Sequence, residues 1–370
     1  MIFGFFLLIF YLRLFYLYSK SWFIESKPER VNRTDYISVV IACRNEEENI
    51  SELIRCINSQ SINKSRMELI VVNDNSDDNT LNKLMLEKKN CSFLRIIDLK
   101  SDMGKIKSIR EAIKIAKGQI ILCTDADCRM SGEWMEKIID YFTIKECNFV
   151  SSPVVFSRSS SLFTKYQELE LLSLVISSGS AIQRNHAILC NGANIAFRKK
   201  IYLEIPDNDF DDFYTDDISL LHYFKKYFKG SIFFAKDDKT IITTSICKDL
   251  SSYFSQKMRW VYSSRGIKDS DTILVSLLIY SISLLVFICT IFLIYSLCSV
   301  KFDSLFFLCS SILFIKVIID YSFLSISLGF FKRRDLLIYL FPFIFINSII
   351  TVVIVPLSFL LPIKWKGRKI

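Results

Sequence analysis

The sequence predicts an α/β domain on a mainly parallel central sheet, with membrane helices at both ends of the chain. Three observations carry this. Short, uniformly apolar runs alternate with helical runs between Tyr36 and Asp127. Each such run ends in a cluster of Asp, Glu, Asn or Arg. The remaining apolar residues are concentrated at the two termini. An apolar run without polar alternation reads as a strand buried on both faces. Strands separated by helices specify parallel pairing with right-handed crossovers.

Composition narrows the class further. Apolar residues make up 51% of the chain, with 32 Phe, and mean hydropathy is +0.32, above that of an ordinary soluble enzyme. The middle of the chain has the polarity of a globular domain and the length to bury a core. Net charge is +9. The Lys and Arg are scattered or cluster beside apolar segments instead of forming one stripe with aromatics. That excludes a nucleic-acid surface and fits an anionic membrane face. The 11 Cys form no CxxC pair, and they read as reduced, buried thiols. His186 and His222 are the only histidines and read as structural. Any metal is therefore a hard cation held by oxygen.

In order, residues 1–20 form an N-terminal anchor with its basic flank after the apolar core, which puts the following domain in the cytoplasm. The α/β domain covers 27–247. Tyr36 to Cys43 is the first strand, running into Arg44, Asn45 and Glu46, with a helix starting near Glu46. Met67 to Asn73 is the second, ending in Asp74 and a capped helix. Phe93 to Asp98 is the third, and Met103 to Lys117 is helical with Lys105 at its start. Ile120 to Cys123 then runs into Asp125, Ala126 and Asp127. Beyond this, Gly132 to Tyr141 reads as helix, Phe149 to Phe156 as one strand, and Ser161 to Ser178 as an amphipathic helix. Cys190 to Arg198 is a loop entering a strand, with Gly192 letting backbone approach a ligand. Phe213 to Phe228 is helical.

Residues 248–270 form an amphipathic interface helix. Residues 272–363 hold the C-terminal transmembrane segments. Ile273 to Val300 has no charge, and Leu305 to Phe331 is broken only by Lys316 and Asp320, i and i+4 on one face and read as a structural pair. Leu336 to Ile363 contains Pro342, Pro356 and Pro362. Because three full spans would carry the basic tail 364–370 outside, the expectation is a re-entrant or kinked last segment and a cytoplasmic tail.

Parallel strands deliver their loops to one edge, where ligands of open α/β sheets bind. Arg44, Glu46, Asp74, Lys105, Asp125 and Asp127 all fall there. Carboxylates can bind ribose hydroxyls, a lysine can offset diphosphate charge, and an acid pair can hold a divalent cation on two phosphates. There is no GxxxxGK[ST] and no GxGxxG, so neither a P-loop nor a dinucleotide site is supported. The bland readings are that Asp74 and Asp77 cap a helix, that Glu47 and Glu48 are solvated first-turn acids, and that Lys105 is a surface lysine.

The motifs SVVIACRNEEENI (Ser38–Ile50), ELIVVNDNSDDNT (Glu68–Thr80), DAD (Asp125–Asp127), TDD (Thr215–Asp217) and QKMRW (Gln256–Trp260) occur in an order that resembles membrane-bound family 2 glycosyltransferases. WKGR at Trp365–Arg368 is similar to a common ending of such enzymes. The resemblance implies a GT-A, Rossmann-like fold and an inverting transfer from a nucleotide-diphospho sugar, UDP-linked, to a lipid, lipid-linked or growing-glycan acceptor, with Mg2+ or Mn2+. It implies that Ala42, Arg44, Glu46, Asp74 and Lys105 line the donor site. Asp125 and Asp127 would hold the metal, and Asp217, beside Asp216, would be the base. Gly192, Asn194, Gln256, Arg259 and Trp260 would serve acceptor and diphosphate. Ala42 replaces a frequent Pro, Asn73 a frequent Asp, and Asp216 the usual Glu. The alternatives are a processive polysaccharide synthase and a non-catalytic scaffold with a nucleotide-sugar-binding domain. Arg259 and Trp260 also suit a plain membrane-interface anchor.

Overall fold

The computed structural model describes residues 2–26, 28–29, 35–206, 217–361, 364–365 and 368–369. They divide into two compact units: Glu25–Ser157 with Ala181–Ser245, and Met1–Ile24 with Arg158–Ser180 and Ile246–Ile370.

The first unit is the α/β domain. Its strands are β1 (Ile37–Cys43), β2 (Met67–Asp74), β3 (Leu94–Leu99), β4 (Ile120–Cys123), β5 (Arg129–Met130), β6 (Phe149–Ser151), β7 (Val154–Phe156), β8 (Ile195–Arg198), β9 (Ile232–Phe234) and β10 (Ile242–Thr244). Seven of them form one sheet in the order β3-β2-β1-β4-β8-β6-β9, and β5-β10-β7 form a smaller one. β3, β2, β1 and β4 are mutually parallel, and β8 runs antiparallel to both β4 and β6. Every residue of β2 and β4 is buried, as expected of strands with helices on both faces.

The helix expected from Glu46 starts later, at Ile50, because Glu47 to Asn49 form a turn. The single strand expected over Phe149 to Phe156 is two, in different sheets. Pro153 lies between them and cannot donate to a ladder. Its carbonyl accepts from Ile242 (3.0 Å) and from Asn194 Nδ2 (2.7 Å).

The edge of the sheet where β1, β2 and β3 begin is closed by one buried carboxylate. Glu68 accepts from Ser38 Oγ (2.6 Å), the Lys117 N–H (2.5 Å) and Arg95 Nη1 (2.8 Å). Gly118 completes the network by donating its N–H to Ser38 Oγ at 2.9 Å. A Cβ on Gly118 would lie 2.4 Å from the Ser38 backbone nitrogen, so only glycine fits.

The second unit is helical. Helices within Ser270–Cys298, Ser304–Ser327 and Arg334–Leu360 are long and apolar enough to cross a membrane. The third apolar run opens with the 3-10 turns of Arg334–Tyr339 and continues as the helix Leu340–Leu360, while Pro362 lies outside the described residues. Pro342 sits in the first turn, where no N–H partner is needed, and Pro356 near the end, where its missing N–H costs only one bond. The N-terminal helix Ile2–Ser21 packs on Ser304–Ser327, where Tyr11 donates to Asp320 at 2.6 Å and Lys316 closes the pair from the same helix.

The helix Leu162–Ile182, expected within the α/β domain, groups with the helical unit through Ser180. The cause is a set of buried polar side chains. Gln167 bonds the backbone of Cys247, Glu168 meets Arg333 at 2.5 Å, and Glu170 meets Lys257 at 2.7 Å.

Gly118→Ala is expected to cost about 3 kcal/mol or more, because the backbone of β1 must move to admit the methyl. Thermal unfolding in detergent measures it, and a loss under about 0.5 kcal/mol would contradict the packing. Burial alone would raise the Glu68 pKa. The Lys117, Ser38 and Arg95 hydrogen bonds outweigh that and hold it below the ordinary value. Its contribution to stability is therefore present above the unfolded pKa of about 4.3 and lost as pH falls through the folded one. Glu68→Gln should be less stable at neutral pH and show a flatter decline in melting temperature below about pH 5.

Candidate active site

The opposite edge, where the parallel strands end, collects the acids and the basic residues found in the sequence. The loop after β1 is locked to the loop after β2. Asn45 and Asn75 both adopt left-handed backbone, at φ 52 and 51°, which asparagine tolerates. The Asn45 N–H donates to Ser76 Oγ (3.0 Å), the Glu46 N–H to Thr80 Oγ1 (2.8 Å) and the Glu47 N–H to Asp78 (3.1 Å). Glu47 in return accepts from the Asn79 N–H, so it is not merely solvated. Glu46 accepts from Asn49 at 2.8 Å. Ala42 lies half-buried in β1 opposite Val72.

Arg44 ties three loops together. Its Nη1 donates to the carbonyls of Asp74 (3.1 Å) and Asn75 (2.8 Å) and to Asp102 (2.8 Å), while Nη2 reaches Asp77 (3.1 Å). Asp74 is buried and accepts from the Met103 and Gly104 N–H groups at 2.9 and 3.1 Å. It therefore fixes the entry to the helix Lys105–Ile115, a different helix from the one following β2. Asp78, not Asp77, holds the start of that following helix through the Thr80 N–H (2.9 Å). Lys105 reaches across to Asp125 at 2.8 Å. Asp125 and Asp127 flank a turn directly after β4, both half-exposed. Asp127 Oδ2 accepts from Thr244 Oγ1 at 2.8 Å. Burial pushes the Cys128 thiol up, and the Asp125 and Asp127 carboxylates push it further, so it stays protonated beside the acid pair.

Gly192 and Asp217 are brought together. The Gly192 N–H donates to Asp217 Oδ2 at 2.8 Å, and Asp217 Oδ1 caps its own helix, Ile218–Tyr227, through the Ile218 N–H at 2.7 Å. A Cβ on Gly192 would stand 3.1 Å from the Asp217 side chain, which explains the glycine. Thr215 and Asp216 lie outside the described residues. Asn194 is fully buried. It donates to the carbonyls of Pro153 and Thr240 and accepts from Trp134 Nε1 at 3.0 Å. Its amide is thus part of the framework that holds β8, rather than facing a ligand.

Residues 38–205 match the family described as glycosyl transferase family 2. That stretch, just under half of the chain, is similar to the family 2 glycosyltransferases. A poly-beta-1,6-N-acetyl-D-glucosamine synthase of Staphylococcus epidermidis is 24% identical over 259 residues, covering 68% of this chain and 59% of that one. The synthase of the same name from Staphylococcus aureus strain COL is 26% identical over 204 residues, covering 53% and 48%. The chain thus spans about half to three-fifths of the length of these curated relatives. Among solved structures, a mannosyltransferase from Pyrobaculum calidifontis in complex with GDP-Man and Mn2+ aligns with a TM-score of 0.55 at 17% identity, covering 70% of each chain. At that identity the likeness shows the fold alone, the GT-A arrangement.

The QxxRW run lies on the helix Leu250–Ser263 of the helical unit, with Gln256, Arg259 and Trp260 half-buried. Lys257, inside the run, was not singled out by sequence. Its ammonium meets Glu170 at 2.7 Å and lies 4.2 Å from the centre of the Trp260 ring and 5.4 Å from that of Tyr253. Burial pulls its pKa below the ordinary lysine value, with the Glu170 carboxylate working in the other direction. Tyr253 also donates to Glu170 at 3.1 Å. Thr244, Asp102 and Glu170 carried no motif, and only the fold reveals their partners.

Lys257→Met leaves the partly buried Glu170 without its cation and is expected to destabilise the protein by about 3 kcal/mol. Glu170→Gln combined with Lys257→Met should recover most of that loss. Unfolding midpoints of the single and double variants in detergent test this, and strict additivity of the two losses would contradict a direct pairing.

Proposed function

We propose that the protein is an inverting, metal-dependent glycosyltransferase that moves a sugar from a nucleotide-diphospho sugar, UDP-linked, to a hydroxyl of a lipid, lipid-linked or growing-glycan acceptor at a membrane. The observation that carries this is the sheet edge of the α/β domain. There, Lys105, Asp125 and Asp127 stand side by side, next to loops locked by Arg44 and Asp74.

Asp125 and Asp127 suit a hard divalent cation. Among the described residues no group of three or more His, Cys, Asp or Glu could hold a metal alone. Mg2+ and similar hard cations are commonly held by one or two carboxylates, with the remaining ligands drawn from substrate phosphates and water. The mannosyltransferase of like fold is described in complex with GDP-Man and Mn2+. When bound, such an ion neutralises charge on the departing diphosphate. Asp127 is the nearer candidate ligand, while Lys105 would leave Asp125 for the donor phosphates. Arg44, through its bonds to the Asp74 and Asn75 carbonyls, shapes the loops that receive the nucleoside, and Glu46 borders them.

Asp217 is the proposed base. Both its oxygens accept N–H bonds, which fix the carboxylate plane while each oxygen keeps a lone pair to take the proton of the acceptor hydroxyl. Attack on the anomeric carbon from the face opposite the diphosphate inverts it in one step. No covalent intermediate is required. Arg259 would bind the departing diphosphate and Trp260 would stack on an acceptor sugar. The basic flank after the N-terminal helix favours a cytoplasmic catalytic domain, with that helix as a further span. Within the helical unit Arg265 donates to the Ser358 carbonyl and Lys364–Trp365 packs on the Leu250–Ser263 helix, which supports a last apolar segment that brings the tail back to the side of that helix.

A second reading of the acceptor, processive synthesis, is favoured by the relatives named as poly-beta-1,6-N-acetyl-D-glucosamine synthases. It makes an N-acetylhexosamine the first donor to try. Purified protein in detergent, given a panel of nucleotide sugars, should release nucleotide only with Mn2+ or Mg2+. Asp127→Asn and Asp217→Asn should each lower the rate by about 100-fold or more. Undiminished release in both variants would sink the assignment. Product masses then separate a single added sugar from a ladder.

A further inference from the structure

The acid pair is held from a strand that bears no motif. β10 pairs antiparallel with β5, Ile242 opposite Met130 and Thr243 opposite Arg129. Continuing that register by two residues brings Thr244 and Ser245 alongside Cys128 and Asp127. Thr244 Oγ1 lies 2.8 Å from Asp127 Oδ2, and the Ser245 N–H lies 3.4 Å from the same oxygen. The other edge of β10 is fixed as well. Thr244 pairs with Phe156 of β7, and its carbonyl accepts the Ser157 N–H at 3.0 Å. The backbone that carries the hydroxyl is therefore held from both sides, and the β-branched side chain has few rotamers to choose from.

An ionised carboxylate only accepts hydrogen bonds, so the threonine hydroxyl must donate. We propose that Thr244 is the positioning residue of Asp127. It engages Oδ2 and fixes the plane of the carboxylate, and Oδ1, which accepts only the weak Cys128 Sγ–H contact at 3.8 Å, would keep a lone pair for a divalent cation. The proposal rests on the metal reading above. Outer hydrogen-bond partners of this kind set ligand orientation, and their loss costs about 10–100-fold in metal affinity.

The test is Mn2+ binding to the protein in detergent with UDP present, followed by electron paramagnetic resonance of free Mn2+. Thr244→Val keeps the shape and removes the donor, and Thr244→Ala checks it where a second methyl is unwelcome. Both should weaken Mn2+ binding about 10–100-fold, while Thr244→Ser stays within about threefold of the unmodified protein. A merely structural role would shift the metal-free melting temperature and leave the Mn2+ affinity of the folded fraction alone. Unchanged Mn2+ affinity in Thr244→Val and Thr244→Ala, with Asp127→Asn impaired, overturns the positioning role and leaves the metal reading standing. Unchanged affinity in Asp127→Asn overturns the metal reading, and the role of Thr244 with it.

Discussion

The edge where the parallel strands end depends on one buried guanidinium. Four parallel strands end side by side, and their last carbonyls and the acids Asp74, Asp77 and Asp102 would leave that edge strongly negative. Arg44 offsets this with a planar fork that reaches two carbonyls and two carboxylates at once. A lysine, with one compact charge, has no comparable geometry. With the loops after β1, β2 and β3 drawn together, Asp74 is turned to the Met103 and Gly104 N–H groups. That sets where the helix Lys105–Ile115 begins, and hence where Lys105 meets Asp125. The contacts then run through the turn to Asp127 and on to Thr244. The edge is one connected set of bonds in which each acid is oriented by a neighbour.

The two ends of the sheet solve the same problem in opposite ways. Where the strands begin, Glu68 is closed in by Ser38, Arg95 and the Lys117 N–H, and Gly118 leaves no room for anything else. Such an arrangement fixes register, because a slip would separate partners on three segments of chain. Where the strands end, Asp125 and Asp127 stay half-exposed on a turn. Their remaining coordination capacity fits a ligand that arrives with its own charge.

The strands of the parallel half were legible because burial on both faces leaves an apolar run with no ambiguity of period. The acids at their ends were legible because a buried strand rarely runs into carboxylates without cause. What they do there was less so. Asp74 was placed at the edge correctly, but whether it faces solvent or the Met103 amide depends on a helix thirty residues further on. The family resemblance put Asn194 with Gly192 among the acceptor contacts, yet the fold encloses it between Pro153, Thr240 and Trp134. Those partners come from three distant stretches, and no local pattern encodes them. β5 and β10 were missed for a related reason. Strands of two or three residues carry no periodicity, and Thr244 reaches Asp127 only through their pairing.

The helix Leu162–Ile182 shows the limit most clearly. Read as a wheel, its polar residues suggested a wet face. Tyr166 and Glu170 do share a side, four residues apart, but Gln167 and Glu168 point about 100 and 200° away from Tyr166. In the structure Tyr166 reaches Asn347, Gln167 reaches Cys247, Glu168 reaches Arg333 and Glu170 reaches Lys257. A helix with partners in at least three directions is enclosed, and its polar residues mark neighbours instead of water. Buried pairs of this kind add little net stability, since desolvation offsets much of their attraction. They penalise wrong arrangements instead: shifting the Leu250–Ser263 helix would strand Lys257 or Glu170 without its counter-charge. Because Lys257 also lies against Trp260, the same pair holds that indole in place. The position of the QxxRW run is therefore set from a helix eighty residues earlier that shares none of its motif.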